Sequence, residues 1–380
     1  MTDYWPEMNN QSSDIVVVGG GIIGISVAWH LAREGASVKV IERGLVGGGA
    51  SGAAAGMLAP LAEAPRPGPF VELGLASLKK YPEFIDRLKE EAGLDPSCGG
   101  SGLLRVALDE EGAAAICTAS EWQEAAGFRV ERLTSSEART VEPELTETVV
   151  AAVLSQDEQQ FDPRVLTKAL AVACERRGVE IVEDTPVIGF EREDDHVRAV
   201  VTSEQSILCG NVVIAGGAWS EEIGRQLGAA LPVFPVRGQI MALRADPPPI
   251  RHTIYAHHGY LVPRGDGRII VGATAENAGF DSRATAFGLS WLLETAQRLV
   301  PRLSGATFDS VWAGLRPATS DGLPILGRLP GLENGYAATG HFRNGILLAP
   351  ITGELIANLI LQNEHPDLLR HFKAERFQQE

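Results

Sequence analysis

Three glycines near the amino terminus have the spacing of a turn that binds phosphate. Gly19, Gly21 and Gly24 lie between an apolar, β-branched run and the helix-like segment 22–33. In such a unit the first glycine allows a tight turn, the second lets the backbone approach a pyrophosphate, and the third lets helix and strand pack closely. The N-terminus of the helix adds a partial positive charge that faces the phosphates. The spacing therefore predicts a dinucleotide site.

Glu42 is at the position where a dinucleotide-binding unit carries its ribose-binding carboxylate. Glu42 ends the second predicted strand, 37–42, eighteen residues after Gly24. A carboxylate at that position can accept hydrogen bonds from ribose hydroxyls. Its charge would repel a 2′-phosphate, although the neighbouring Arg43 weakens that inference.

A second set of glycines, Gly47, Gly49 and Gly52, repeats the spacing without a strand–helix unit of its own. We interpret it as a loop whose backbone N–H groups face the same cofactor, and a flexible surface loop is the alternative. Since only one fingerprint is complete, electrons are expected to come directly from a small substrate and not from NAD(P)H. Two later segments, 212–217 and 336–340, also run from a strand into glycines. Three such strand ends predict one parallel sheet that presents three loops to a long ligand, which suits FAD better than NAD.

The composition excludes several classes of protein. A length of 380 residues gives a prior of about two domains. The formal net charge of −16 argues against nucleic acid as a partner, and 44% hydrophobic residues argue against disorder. Glycine makes up 42 residues, an excess that we assign to turns and close approaches to a ligand.

No export signal or membrane span is expected. The uncharged run 15–29 is shorter than the roughly 20 residues that a bilayer requires, and residues 1–13, read as a flexible polar tail, contain no Lys or Arg. Four dispersed cysteines without a CxxC pair argue against a zinc ribbon, a dithiol centre or a disulfide scaffold. They favour a reducing, cytoplasmic location.

The remaining pattern predicts the elements that must position these residues. Helices are expected at 70–92 (interrupted or kinked at Pro82), 110–126, 162–178, 285–300 and 350–362. Strands are expected at 101–108, 179–190, 196–203, 206–209, 212–215, 233–236, 239–243, 260–263, 268–272, 311–319 and 335–339.

Several longer segments resemble the D-amino-acid oxidase/sarcosine oxidase family. They are DIVVVGGGIIGISVAWHLAREGASVKVIERG, GGGASGAAAGMLAP, VVIAGGAWS, PVRGQIMAL, YLVPR, IIVGAT, VWAGLRPATSDGLPILG and ATGHFRNGILLAP, and they extend over about 14–365. The resemblance implies an α/β fold, with a Rossmann-like FAD-binding domain and a substrate domain whose antiparallel sheet covers the flavin. The implied FAD-binding domain is discontinuous (14–85, 150–225 and 310–365), and the substrate domain takes 86–149 and 226–309.

The resemblance also assigns the substrate site. Arg316 in WAGLRP matches the family arginine that pairs with the substrate carboxylate, and a guanidinium suits that role because it makes two charge-assisted bonds. Tyr260 matches the tyrosine that helps to hold the same carboxylate, and Arg343 matches an arginine near substrate and flavin. His258 is expected to line the pocket, with a solvated His257–His258 pair as the alternative.

The cofactor site that the resemblance implies is larger. Its residues lie in the first glycine turn, the second glycine loop and the GHFRNGILL segment, whose backbone N–H groups would stabilise negative charge on the reduced ring. They are Gly19, Gly21, Ile22, Ile23, Gly24, Glu42, Arg43, Ala50, Ser51, Ala55, Gly56, Met57, Val187, Gly217, His341, Phe342, Arg343, Asn344, Gly345, Ile346 and Leu347.

The implied activity is oxidative deamination of glycine or another small amine acid, in the service of thiamine biosynthesis. A hydride would pass from Cα to flavin N5, the imine would hydrolyse, and O2 would be reduced to H2O2. The alternatives are a D-amino-acid or proline-type dehydrogenase that reduces a quinone, and a flavin-binding protein without turnover. Oligomeric state, including a homo-oligomer, stays open.

Three features qualify the resemblance. Where the glycine-oxidising branch of the family has a methionine after VGAT, this chain has Ala275, which would enlarge the pocket. The last cysteine is Cys209 and 44–60 contain no histidine, so FAD is expected to be non-covalent. His252, His257 and His258 lack a convincing partner ligand, so no metal is expected.

Overall fold

The computed structural model describes residues 12–97 and 102–377. Its strands are β1 (Ser12–Val18), β2 (Val38–Ile41), β3 (Met57–Leu58), β4 (Leu103–Ala107), β5 (Val130–Thr134), β6 (Ala151–Ser155), β7 (Gln159–Gln160), β8 (Glu180–Val182), β9 (Val187–Glu193), β10 (His196–Thr202), β11 (Ser206–Ile214), β12 (Phe234–Arg244), β13 (Thr253–Ala256), β14 (Gly259–Pro263), β15 (Arg268–Gly272), β16 (Thr307–Ala318), β17 (Ile325–Arg328) and β18 (Gly335–Thr339).

The helices alternate with these strands. They are α1 (Ile22–Arg33), α2 (Ala50–Ala53), α3 (Pro60–Glu63), α4 (Pro69–Ala92), α5 (Glu110–Ala125), α6 (Ser135–Val141), α7 (Pro163–Arg176), α8 (Ser220–Leu227), α9 (Ala286–Leu299) and α10 (Gly345–Gln362). Short 3₁₀ turns occupy Gly217–Trp219, Pro301–Gly305, Asp367–His371 and Ala374–Phe377.

The first sheet carries the glycine turns. Its order is β17–β18–β11–β1–β2–β8, and β18, β11, β1, β2 and β8 are mutually parallel. Strands β1, β11 and β18 each end in glycines, at Gly19, Gly216 and Gly340, so their following loops meet at one edge of the sheet. The predicted parallel arrangement with three glycine-bearing strand ends is confirmed for these five strands, whereas β17, β10 and β9 extend the same sheet by antiparallel pairing.

Helices α1, α4, α7 and α10 pack together on this sheet and bury a large apolar core. Helix α10 is long and apolar enough to cross a membrane by length and composition, but 67% of its apolar window is buried inside the fold. Gly353 lets it approach α1, since a Cβ there would lie 2.3 Å from His30 Nδ1. Its apolar character is therefore explained by the core.

The second sheet has the order β16–β12–β15–β14–β13–β4–β6–β5 and is antiparallel except where β13 pairs with β4. It contains β6 and β16, although the predicted boundaries placed 151–155 and 310–318 with the dinucleotide-binding segments. The long β12–β16 ladder pairs Val236 with Arg316 and continues to Arg244. This ladder brings the second sheet against the loops of the first.

The start of α10 was predicted wrongly. The sequence placed it near Pro350, because proline favours the first turn of a helix, but the helix begins at Gly345. A proline inside a helix leaves the carbonyl four residues earlier without its N–H partner. Here that carbonyl, of Ile346, accepts a hydrogen bond from the Tyr81 hydroxyl. A side chain from α4 thus replaces the backbone donor that Pro350 lacks, and the helix can extend past the proline. No local sequence pattern reveals this contact.

The predicted tail at 1–13 also needs correction. Ser12 and Ser13 belong to β1 and pair with Leu208 and Cys209 of β11, while residues 1–11 lie outside the described residues. Elsewhere α4 continues through Pro82 without interruption, and 233–236 and 239–243 form the single strand β12. The predicted strands at 206–209 and 212–215 are likewise one, β11.

We predict that Gly24→Ala destabilises the protein because an added Cβ would lie 1.9 Å from the Gly19 carbonyl oxygen. Overpacking of this kind typically costs about 1–3 kcal/mol. Denaturant unfolding should show the loss, together with weaker retention of the cofactor. Gly189→Ala in β9 is the control, since nothing lies within 4 Å of its added Cβ. Equal stability of the two variants would contradict the assigned packing role.

Candidate active site

A cavity of about 650 Å³ opens at the carboxyl ends of β1, β2, β11 and β18. Its lining includes residues from all three glycine-bearing loops. Of the predicted cofactor residues, those that line it are Gly19, Gly21, Ile22, Ile23, Glu42, Arg43, Ala50, Ser51, Val187, Gly217, His341, Phe342, Arg343, Gly345 and Ile346. A doubly wound sheet binds its ligands at this edge, so the cavity lies where a dinucleotide would be held.

The conformation of the first glycine turn requires glycine at position 19. Gly19 has φ +116°, and an added Cβ would lie 2.4 Å from the Ala215 carbonyl oxygen. Gly24 does not line the cavity but packs beneath the turn, as its predicted role requires. Gly21 precedes α1 without a side-chain cap, and the Ile22 N–H donates to Ser51 Oγ at 2.9 Å. The helix N-terminus therefore faces the cavity.

Glu42 is held rigidly at the wall of the cavity. Its Oε2 accepts a hydrogen bond from the Gly20 N–H at 2.6 Å, and its Oε1 accepts one from the Gly44 N–H at 3.0 Å. A Cβ at Gly20 would lie 2.9 Å from Glu42 Cβ, so the second of the three consecutive glycines is also required. The glycine spacing does not predict that role for Gly20.

The second glycine loop is bound to the first. The Gly47 N–H donates to the Gly20 carbonyl at 3.0 Å, and Ser51 accepts from the start of α1. Gly47, Gly48 and Gly49 all line the cavity. These contacts favour the interpretation as a cofactor loop over that of a flexible surface loop.

One end of the cavity is formed by residues that the sequence did not single out. Trp219 follows the β11 glycines, and the Arg43 guanidinium lies 4.3 Å from the centre of its ring. Thr185, Pro186 and Ile188 complete this end beside Val187. The GGAWS segment was recognised for its glycines, whereas the role of its tryptophan depends on the distant Arg43.

The other end is formed by the start of α10. The first i to i−4 bond of the helix runs from the Leu348 N–H to the Asn344 carbonyl, so the N–H groups of Gly345, Ile346 and Leu347 precede it. These groups create a partial positive charge suited to an anionic ring. Burial lowers the pKa of His341 to about 3, which keeps its ring neutral beside Thr352 Oγ1.

Two smaller cavities, of about 70 and 400 Å³, adjoin this end and are both lined by Tyr260, Arg316 and Arg343. Gly238 and Gly272 make room for two of these side chains. A Cβ at Gly238 would lie 2.3 Å from Arg316 Nη1, and one at Gly272 would lie 2.3 Å from the Tyr260 hydroxyl. The glycines of PVRGQ and IIVGAT were visible in the sequence, but only the strand pairing shows what they accommodate.

Arg316 and Tyr260 lie side by side, with Tyr260 buried and Arg316 half-buried. The Arg316 Nη1 donates to the Thr274 carbonyl at 2.9 Å, and the two side chains line the same cavity and influence each other's pKa. Burial lowers the pKa of Arg316 and raises the pKa of Tyr260. The raised pKa keeps the Tyr260 phenol protonated at neutral pH. The Arg316 guanidinium stays charged although its pKa is lowered, because the ordinary pKa of arginine is far above neutral. Such a pair can bind a carboxylate.

Arg343 already has a counter-charge. Its Nη2 donates to Glu63 Oε1 at 2.9 Å and to the Tyr255 hydroxyl at 3.0 Å, while that hydroxyl reaches Glu63 at 3.1 Å. Burial alone would lower the pKa of Arg343, but the Glu63 carboxylate and the two tyrosines outweigh it and raise it. Arg316, Arg343 and Glu63 together carry one net positive charge, which matches one substrate carboxylate. Glu63 and Tyr255 carry no motif and were missed.

A buried carboxylate positions the helix that bears Glu63. Glu158 Oε1 accepts the N–H groups of Leu61 and Ala62 at 2.7 and 2.9 Å, at the start of α3. Gln123 Nε2 donates to the Leu61 carbonyl at 3.0 Å. Burial raises the pKa of Glu158 to about 7, although the backbone hydrogen bonds and Arg105 oppose that change.

The remaining predicted residues lie in different places. Ala55, Gly56, Met57 and Asn344 line the cavity of about 70 Å³. Leu347 lies in the core, where its carbonyl accepts a hydrogen bond from Ser77 Oγ at 2.6 Å.

The predicted histidine lies at the entrance to the site. His258 is exposed in the turn between β13 and β14, edge-on to His257, and lines the cavity of about 400 Å³. His252 lies apart from both and bonds through Nδ1 to Glu142 at 2.6 Å, so the three histidines do not form one cluster.

Ala275 lines the same cavity and is exposed. It shares that wall with Trp291 and with Phe287, which is 74% exposed. This side of the cavity is therefore open to solvent.

Comparisons with known proteins place the chain among flavoproteins. The family model described as FAD dependent oxidoreductase (DAO) matches residues 14–359. A glycine oxidase of Bacillus licheniformis is 37% identical over 364 residues, which cover 96% of this chain and 97% of that protein. The bifunctional protein ThiO/ThiG of Synechocystis is 38% identical, over 96% of this chain and 54% of that protein. The crystal structure of glycine oxidase from Geobacillus kaustophilus matches with a TM-score of 0.92 at 34% identity, covering 96% and 98% of the two chains.

We predict that Glu42→Gln weakens FAD binding without preventing folding. The change replaces an ionised acceptor at the cavity wall by a neutral one, and hydrogen bonds to charged groups contribute about 1.5–3 kcal/mol. Flavin fluorescence titration of the apoprotein should show roughly a tenfold or larger increase in Kd. Glu183→Gln is the control, because Glu183 also accepts a backbone N–H, from Val46, but does not line this cavity. Unchanged affinity in Glu42→Gln would remove Glu42 from the ribose site.

Proposed function

We propose, because the chain belongs to the DAO family of FAD dependent oxidoreductases, that it is an oxidase which deaminates glycine or another small amine acid. Glycine, O2 and water would yield glyoxylate, ammonia and H2O2. The observation that carries this proposal is the largely desolvated Arg316 guanidinium, which lines with Tyr260 a small cavity that adjoins the cofactor cavity.

The residues of the large cavity fit FAD. The cavity extends from Trp219 to Gly345. The Glu42 carboxylate, the N-terminus of α1 and the N-terminus of α10 all lie along it. FAD supplies the hydride acceptor and the centre that reacts with O2. We propose that it is held without a covalent bond, by Glu42 at the ribose, by the glycine turns at the pyrophosphate, and by the segment 341–346 at the flavin ring.

The protein's own contribution is to hold and orient the substrate. Arg316 and Tyr260 would bind the carboxylate by charge-assisted hydrogen bonds, which fixes the position of Cα. Orientation of this kind can supply much of a rate enhancement. The mechanism requires no obligatory general base from these residues. Arg343, tied to Glu63 and Tyr255, would confine the substrate from the other side.

The same proposal includes a biosynthetic role, a cellular location and a range of substrates. A role in thiamine (thiazole) biosynthesis is supported by the similarity to the bifunctional protein ThiO/ThiG. A cytoplasmic location is supported by Cys117, Cys174 and Cys209, which are free thiols. The open wall beside Ala275 favours acceptance of amine acids larger than glycine.

We predict that Arg316→Met leaves the flavin spectrum and the fold largely intact but lowers kcat/KM for every carboxylate substrate. Loss of a charge-assisted contact to a desolvated carboxylate should cost about 3–5 kcal/mol, or roughly a hundred- to several-thousand-fold. Arg316→Lys should recover only part of this, because an ammonium cannot make the planar two-bond contact.

Two controls make that result specific. Arg302→Met removes an arginine from an exposed ion pair with Glu144 and should leave kcat/KM unchanged. Simple amines without a carboxylate should be poor substrates and insensitive to all three variants. Near wild-type kcat/KM in Arg316→Met would move the carboxylate site elsewhere, with Arg343 as the next candidate.

A further inference from the structure

The orientation of Arg316 depends on a segment outside its own strand. Its Nη1 donates to the carbonyl of Thr274 at 2.9 Å. Thr274 lies just after β15, in the stretch that follows Gly272 and leads to Glu276. Since one guanidinium nitrogen is committed to this carbonyl, the direction of the remaining donors depends on where Thr274 is held.

Thr274 is held by Glu276. The Thr274 hydroxyl donates to Glu276 Oε1 at 2.5 Å and also accepts the Gln239 N–H at 2.9 Å. Glu276 Oε1 accepts a second bond from Gln239 Nε2 at 2.7 Å, and Oε2 accepts one from Arg237 Nη2 at 2.6 Å. Three donors therefore converge on one carboxylate, two residues from the carbonyl that orients Arg316.

The network is tied into two further elements. Gln239 is fully buried, and its Oε1 accepts the Thr285 N–H at 2.7 Å before α9. Gly288 in α9 leaves the space for it, because an added Cβ would lie 2.3 Å from the Gln239 amide carbon. Arg237 and Glu276 also exchange two backbone hydrogen bonds of 2.9 Å. The carboxylate of Glu276 is thus anchored directly by β12, and its partner Gln239 is in turn held at the start of α9.

Glu276 stays ionised in this setting. Burial would raise its pKa, but hydrogen bonds from Thr274, Arg237 and Gln239 outweigh burial and lower it. Although Glu276 lines the cavity of about 400 Å³, its oxygens are already engaged by these three donors. Its geometry suits it to fixing its neighbours and not to taking a proton from a substrate.

We propose that Glu276 is a positioning residue, which acts through the Thr274 hydroxyl to fix the carbonyl that aims Arg316 at the substrate carboxylate. The inference rests on the proposed function, since it assigns to Arg316 the role of carboxylate ligand. It explains why a half-buried carboxylate is clustered with a buried amide and a buried threonine beneath a site that has its own charged residues.

The test compares four single variants and one double variant as purified FAD-bound proteins. Thr274→Val removes the hydroxyl, and Glu276→Gln replaces the ionised acceptor by a neutral amide, so each weakens the link between these two side chains. Thr274→Ser keeps the link. Asp281→Asn is the matched control, because Asp281 also pairs with Arg237, at 3.3 Å. The hydrogen bonds of Thr274 run to Gln239, Glu276 and Arg316 and not to Asp281. The measurements are kcat and KM for glycine, and the Kd of acetate from the change in the flavin spectrum. FAD content and thermal unfolding report on folding.

We expect Glu276→Gln and Thr274→Val to raise KM and the acetate Kd by roughly tenfold to a hundredfold. The kcat should change by less than about threefold, because a saturating substrate still reaches the ring. Thr274→Ser and Asp281→Asn should resemble the wild type in both constants. The double variant of Glu276→Gln and Thr274→Val should be no worse than the poorer single variant, since both break one link.

Three results would overturn the inference. Unchanged KM and acetate Kd in Glu276→Gln, with a clear loss in Arg316→Met, would refute it and leave the proposed function standing. An equal loss in Asp281→Asn would assign the effect to Arg237 pairing instead. A wild-type protein that neither binds acetate nor oxidises any amine acid would refute both proposals.

Discussion

A largely desolvated guanidinium at the junction of two sheets is the constraint on which the site depends. Among the described residues, Arg316 donates to the Thr274 carbonyl, and the Glu63 carboxylate, whose charge raises the pKa of Arg316, is bonded to Arg343. Burying a charge is costly unless it is paired and hydrogen-bonded. A substrate carboxylate would complete the pairing of this charge. The site should therefore bind an anionic ligand in preference to a neutral one.

The two sheets contribute different parts of the site around Arg316. The parallel sheet brings three glycine-bearing loops to one edge and orients two helix N-termini into the large cavity. The antiparallel sheet supplies Arg316 from β16 and Tyr260 from β14. Tyr260 lies opposite Gly272, and Arg316 lies opposite Val236 with its side chain over Gly238, two residues along β12. Strand pairing between β12 and β16 therefore fixes where Arg316 lies relative to the large cavity.

The sequence predicted the parts of the site that follow from local spacing. Gly19, Gly21 and Gly24 define their turn within a few residues, and α1 begins and ends where the pattern placed it. Arg316 and Tyr260 came from resemblance, since no spacing rule assigns a strand arginine to a carboxylate. The residues that were missed act across long separations. Glu63 bonds to Arg343, and the start of α10 depends on Tyr81, so neither has a local signature.

The most direct measurement is to mix glycine with the FAD-bound protein without O2 and then to admit air. We expect glycine to bleach the flavin absorbance, and O2 to restore it with one H2O2 formed for each glycine consumed. Flavin that stays oxidised with glycine, sarcosine, D-alanine and D-proline would contradict the proposed oxidase activity. Bleaching that only a quinone reverses would replace the oxidase with a dehydrogenase.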